Sequence, residues 1–340
     1  MKNKILIVIG FLIFYFNVFN AYGENQLNFD ITEIEIVENG KKFIGNKRGT
    51  ITSSDGIIIK ANRFEYLKNL NILNASGDIE IIDTINNNEI FTQNITYERN
   101  KSFIFTKNGS RAVDKDKNIE IKAEEFSYDL SKNIIIAEKK AVIENKIKNY
   151  KILSNFIKYL RNEEKIITEG KTSAEIHSKY NFTSKDVTFS INSMELVSKK
   201  KTIVTDESNL YQLEKFRYLI NDEELIGQQI LINTKYKFPT SDKFYFKNAI
   251  INLKNRSFYG TDANIKVRKD IFDDSNNDPR IVGVSAESKN NKTIVNKGVF
   301  TSCKQNENCT PWSIKAREII HDNIKNEITY NNAILKIYDF

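Results

Sequence analysis

Proline is almost missing from this 340-residue chain, with three residues, alongside thirteen glycines, two cysteines, two histidines and one tryptophan. So little proline and glycine excludes collagen-like and low-complexity disordered chains. His177 and His321 lie far apart, and no HExxH, GxSxG, P-loop or GxGxxG pattern occurs. Asp273, Asp274 and Asp278 cluster without the glycine and glutamate spacing of a calcium loop. No catalytic residue, metal ligand or cofactor is therefore nominated, and the chain reads as a non-enzyme. The net charge of +7 comes from interspersed lysine and glutamate, without a basic block, recognition helix or RNP-type motif. Nucleic acid is not an expected partner.

Long apolar runs are also scarce. The only one, from Ile5 to Phe19, follows Lys2 and Lys4 and precedes Ala21-Tyr22-Gly23. A positive start, a short apolar stretch and a small-x-small site describe a secretory signal peptide over 1–23, cleaved between Gly23 and Glu24. The mature chain, 24–340, is then an exported domain.

What the chain does have is a repeat. Tyr66, Tyr97, Tyr128 and Tyr159 stand at a constant interval (97 − 66 = 128 − 97 = 159 − 128 = 31), and Phe189 and Tyr218 continue the series with small slips. Two positions before each stand Phe64, Ile95, Phe126, Ile157, Val187 and Phe216, which places each pair on one face of a β-strand. Three positions after each comes Asn or Ser, suited to a turn: Asn69, Asn100, Ser131, Asn162, Asn192 and Asn221. First strands at 59–66, 90–97, 121–128, 152–159 and 182–189 are each followed by a polar turn and a second strand. Gly77, Gly109 and Gly170 fall midway along three second strands, where a bulge or bend is expected. No segment of the mature chain carries a sustained helical period. The expected fold is all-β, one elongated domain of antiparallel two-strand units of about 31 residues. The repeats are clearest over 59–220, the interval 269–298 around Pro279 reads as a surface loop, and 299–340 returns to strands.

Such units bury one face against the opposite limb of a long flattened roll. The repeated apolar pairs then form a column. Periodicity leaves two readings open: the column is core, each aromatic burying roughly 150–250 Å², or part of it lines an apolar groove open to a ligand. Cys303 and Cys309 lie in FTSCKQNENCTPW. In an exported protein they pair with each other or with cysteines on another segment or chain.

The runs GVFTSC (298–303), CTPWSIKAREIIHD (309–322) and ITYNNAILKIYDF (328–340), with NDPRIVG (277–283), resemble the end of the periplasmic domain of the lipopolysaccharide-assembly LptD family, also called organic solvent tolerance proteins. The 59–218 repeat is similar to the OstA-type β-jellyroll that lipopolysaccharide transport proteins share. The resemblance covers nearly all of the mature chain and implies a periplasmic jellyroll of the OstA/LptA kind. Its ligand would be lipopolysaccharide, handed on by a neighbouring jellyroll transport protein that docks by strand addition. It also implies an outer-membrane barrel plugged by a lipoprotein. Here no alternating lipid-facing segments follow, so the barrel is expected on another chain, or the chain is a fragment or shortened relative. The family's N-terminal cysteine has no counterpart, which leaves Cys309 as the alternative partner of Cys303.

On that resemblance the column becomes a lipid-groove candidate: Phe64, Tyr66, Ile95, Tyr97, Phe126, Tyr128, Ile157, Tyr159, Val187, Phe189, Phe216 and Tyr218. An acyl chain of about twelve carbons gains on the order of 10 kcal/mol by leaving water, so apolar shielding is what such a cargo requires. Two alternatives stand beside this expectation: a stand-alone periplasmic bridge of the same binding class, and a β-helical carbohydrate-active enzyme with carboxylates converging on a cleft.

Overall fold

A computed structural model describes residues 27–238, 241–269, 277–304, 311–322, 324–325 and 327–337. The expected signal peptide and its Gly23–Glu24 cleavage site, Asp273, Asp274 and Cys309 lie outside the described residues. Among the described residues no helix is long and apolar enough to cross a membrane.

The protein is all-β, and every strand pairing is antiparallel. Glu38–Gly40 and Arg99–Lys101 form single 3₁₀ turns. The chain runs back and forth across a bend. In Ile72–Asp83, residues 72–76 pair with Arg63–Leu67 and residues 80–83 with Ile57–Ala61. On its other side the same strand pairs with Asn88–Glu98 along its length, with a register shift between Ser76 and Ile79. Each traverse thus contributes one half to a first limb and the other half to a second limb. The limbs face each other: Phe29, Tyr150, Phe182 and Phe244 on the second contact Tyr66, Phe189, Phe216 and Phe258 on the first, at centroid distances of 4.7–5.7 Å.

Eight strands close a barrel-like circuit in mid-chain. Lys165–Ile176 pairs through Tyr180–Lys185, Thr202–Thr205 and Leu210–Leu213 to Glu224–Asn233, and returns through Lys215–Leu219, Glu195–Ser198 and Thr188–Ser190. The remaining strands extend the sheet outside this barrel.

The expected bends at Gly77, Gly109 and Gly170 are present, each with a positive φ of 72–84°. Lys139 and Lys140 do the same work in the intervening traverse, at φ 63° and 55°, without a glycine to mark the place. Three expected first strands are cut in two at the bend. The Asn62 and Glu124 amides leave the ladder to donate to Gly77 O and Lys139 O across the bulge, and 182–189 divides into Tyr180–Lys185 and Thr188–Ser190. The turns have the expected length, but the left-handed residue comes five positions after the aromatic: Asn71, Ser102, Asn133, Glu164, Met194 and Glu223.

The interval 269–298 is not simply a loop. It contains Arg280–Lys289 and most of Lys292–Thr301, joined by the tight turn at Asn290 and Asn291. Val282 and Val284 point outward and are exposed, which hides the two-residue alternation that the buried Ile281, Ala286, Thr293 and Val295 would otherwise display.

Candidate functional site

All twelve column residues lie on the inward face. Eleven are buried and Tyr66 is half-buried. Equivalent aromatics do not touch one another, because each unit holds two traverses. Across the first limb the row reads Tyr66, Leu73, Tyr97, Ile104, Tyr128, Ile135, Tyr159, Ile166, Phe189, Leu196, Tyr218. Equivalents one unit apart are therefore separated by two strand spacings, about 9–10 Å. In this conformation the interior is filled by the column's own side chains.

The tyrosine hydroxyls close the mouth between the limbs. Tyr97 Oη donates to Asp55 Oδ2 at 2.7 Å, Tyr128 Oη to Asp83 Oδ2 at 2.6 Å and Tyr159 Oη to Asp114 Oδ2 at 2.8 Å. Asp114 also accepts from Arg161 Nε at 2.7 Å, and Arg161 Nη2 reaches Asp116 at 2.6 Å. Asn88 Nδ2 donates to Tyr128 Oη at 2.9 Å. Further along the direction reverses: Tyr180, on the second limb, donates to Glu223 on the first. Burial, reinforced by the facing carboxylate, pushes the hydroxyls of Tyr97, Tyr128, Tyr159 and Tyr180 well above the usual tyrosine range. They remain protonated donors at neutral pH, and the mouth is sewn shut from Asp55 to Glu223.

Beyond Glu223 the mouth opens into a cavity of about 400 Å³. Its apolar wall includes Tyr211, Ile232 and Phe244 from the second limb and Ile251 and Phe258 from the first. Lys235, Arg256 and Arg268 line it together with Asp242 and His321. Arg256 leans across toward Ser208 Oγ at 3.5 Å. Asp242 Oδ1 accepts the backbone amide of Arg268 at 2.8 Å. His321 is buried, and that burial, with Arg268 nearby, holds its imidazole below the usual histidine range against the opposing pull of Asp242 and Asp322. A second depression, about 460 Å³, follows the bend near Ile226, Ile250 and Tyr259 and reaches Phe216, one of the column residues. Cys303 has a free thiol whose Sγ sits 3.7 Å from the Trp312 carbonyl oxygen.

The open cavity belongs to residues the column does not include. One signal for it exists in the sequence. Tyr150, Tyr180 and Tyr211 form a second aromatic series, two positions before Ile152, Phe182 and Leu213, and Tyr211 leads into the cavity. Lys235, Arg256 and Arg268 share no period and meet only because opposite limbs face one another. The cavity thus combines an apolar interior with a basic margin, an arrangement fitted to a ligand that is apolar at one end and anionic at the other. Compared with known proteins, the chain matches no protein-family model and no curated protein.

Proposed function

We propose that this chain is a jellyroll of the OstA kind that carries lipopolysaccharide through the periplasm toward an outer-membrane translocon. The observation that carries the reading is an apolar interior that runs between two limbs and, among the described residues, opens between them at the cavity of about 400 Å³ walled by Tyr211, Phe244 and Phe258. Acyl chains enter the space between the limbs there while the sugar head stays in water. Passage through the sewn segment requires the tyrosine–carboxylate bonds to part in turn. Each such bond is worth roughly 1.5–3 kcal/mol, so opening one at a time is within reach of a cargo that gains ~0.8 kcal/mol per buried CH₂.

Free edges at both ends suit docking by strand addition to a neighbouring jellyroll. Among the described residues, Leu27–Ile31 and Ile34–Val37 each pair on one side only, as does Glu327–Ile337. The last exposes Ile334, Leu335 and Ile337. The cavity lining holds one carboxylate, Asp242, which does not favour the carbohydrate-active alternative.

A photo-crosslinking side chain in place of Phe258, Tyr128 or outward-facing Phe105 tests the reading with lipopolysaccharide. Adducts are expected at position 258, and at position 128 only after Asp83→Ala releases the seam. Equal labelling at 105 and 258 would sink the proposal.

A further inference from the structure

The outward face of the first limb changes character along the roll. In the early traverses Thr96, Phe105, Ser127, Ile136 and Lys158 pair in turn across successive strands, so no two apolar side chains adjoin. Further along, Ile226 pairs with Ile250 and Ile250 with Tyr259, which sets three apolar residues side by side. Ile250 and Tyr259 are 45% and 49% exposed, and the depression of about 460 Å³ lies against them. Arg217 adjoins Ile226 at one end of this stripe, and Glu287 adjoins Tyr259 at the other. Val197 lies beyond Arg217, and Ile294 beyond Glu287.

From Val197 to Ile294 the stripe therefore runs apolar, cation, three apolar residues, anion, apolar. About Ile250 it is symmetric in polarity and opposite in charge. A second copy laid face to face, with a two-fold axis along the strand of Ile250, reverses the order. Each Arg217 then meets the partner's Glu287, each Ile226 meets the partner's Tyr259, and Ile250 meets its own counterpart. One row nearer the mouth, the same operation sets Glu195 against the partner's Lys292. Within one copy Arg217 is held by Glu195, whereas Glu287 is exposed and makes no ion pair among the described residues. Seven strands at ~4.8 Å spacing and three rows of side chains cover roughly 700 Å². That is close to the ~800 Å² per partner of a standard interface. Sheets packed face to face with their strands nearly aligned are a common arrangement.

We infer that this face is the interface of a two-fold symmetric dimer of the chain, closed by Arg217 and Glu287 on either side of an apolar centre at Ile250. The dimer uses neither the mouth nor the end strands, so it stands independently of the lipid-carrying reading.

The test is sedimentation velocity of the full chain over a hundredfold concentration range. The wild-type chain is expected to reach two copies and stop, because a contact of this symmetry closes on itself. Arg217→Glu and Glu287→Arg each bring like charges together twice, and each should weaken the dimer at least tenfold. Mixing the two variants restores opposite charges at both contacts, so the mixture should dimerise within threefold of the wild-type affinity. Ile250→Lys, at an exposed position, should leave only monomers, and a thermal melt checks that each variant is folded. Glu287→Arg and Ile250→Lys break no ion pair within the chain, so they decide the matter even where Arg217→Glu melts early. A wild-type chain that stays monomeric overturns the inference. So does an assembly that Glu287→Arg and Ile250→Lys leave intact, which would place the contact at the strand edges. Single variants that weaken the dimer without recovery on mixing overturn the two-fold pairing. A monomer that instead binds phospholipid vesicles through Ile250 gives the face to a membrane surface and overturns the second copy.

Discussion

Between Ile72 and Ile176 the inner surface of the bend mixes buried hydroxyls with Ala75, Ala137 and Ala141, whereas from Glu224 onward glycine and alanine dominate it. In the first region Thr106 and Ser110 lie 2.5 Å apart and Ser110 Oγ donates to Thr92 Oγ1. Thr168 and Thr172 repeat the arrangement at 2.7 Å, and the Phe126 and Val187 amides freed by the bulges donate to Thr106 and Thr168. In the second region Gly227, Ala249, Gly260 and Ala286 occupy the inner row. There the space is filled by large side chains of adjoining strands, Leu213 at Gly227 and Phe246 at Gly260. The mouth differs in parallel: hydroxyl–carboxylate bonds sew the first region, and a cavity occupies the second. Hydrogen-bonded networks are satisfied in one geometry and resist deformation, whereas aliphatic and aromatic contacts can slide. The same repeat therefore yields a clasped segment and an openable one.

The comparison breaks most readily at Asp114. Its carboxylate holds both Tyr159 and the largely buried Arg161. Asp114→Ala leaves the Tyr159 hydroxyl without its acceptor and Arg161 held by Asp116 at the rim, and a loss of about 3 kcal/mol is expected in urea unfolding. A loss under ~1 kcal/mol would show that the seam does not clasp the limbs.

A finer contrast lies within one column. Tyr128→Phe removes the donor to Asp83 and the acceptor for Asn88, so about 1–3 kcal/mol should be lost. Tyr218 occupies the same row near the end of the seam, beside Tyr180, and its buried hydroxyl has no hydrogen-bond partner. Tyr218→Phe is therefore expected to be neutral or stabilising. Paired chemical denaturation of the two variants reads the difference, and equal losses would show that the carboxylate bond adds nothing to the packing of the ring.

Glycines give a third contrast. A Cβ at Gly260 would stand 2.4 Å from Phe246 Cδ1, so Gly260→Ala overpacks the inner row and should cost about 1–3 kcal/mol. Gly109, at φ +84°, has nothing within 4 Å of a Cβ. Gly109→Ala bears only the left-handed backbone cost of ~1 kcal/mol, a geometry that Lys139 and Lys140 adopt one unit later.

Much of the clasped region is legible because one local device repeats. The interval of 31 sets strand length, turn length and inward face together, and Tyr97, Tyr128 and Tyr159 fall where it puts them. Their partners Asp55, Asp83 and Asp114 are not legible, since a carboxylate at a strand end looks like a solvated turn residue until the opposite limb is in place. The cavity is harder still. Phe244 and Phe258 come from opposite limbs, and the insertion of several residues between Asn233 and Lys243 shifts the register that would have exposed their kinship with Tyr211. The strands at 280–301 were hidden by outward Val282 and Val284, which erase the polar half of the alternation. Periodicity reveals what neighbours share; it is silent on what faces a residue across the interior.

The smallest effect expected concerns His321, and it separates the two regions by pH. The imidazole is buried at the cavity, and desolvation lowers its pKa, aided by Arg268 and opposed by Asp242 and Asp322. Above the unfolded value near 6.5, both folded and unfolded chains hold it neutral, and it contributes nothing to pH dependence. As pH falls through about 6.5 the unfolded chain takes up the proton first, so stability declines until the folded pKa is passed and then levels off. One site can contribute at most ~1.4 kcal/mol per pH unit. His321→Gln keeps a neutral polar side chain and should flatten the urea midpoint between pH 7 and pH 5. Asn88→Ala, in the clasped region, should lower the midpoint without changing its slope with pH. An unchanged slope in the His321 variant would mean that burial of this imidazole does not couple the cavity to pH in this range.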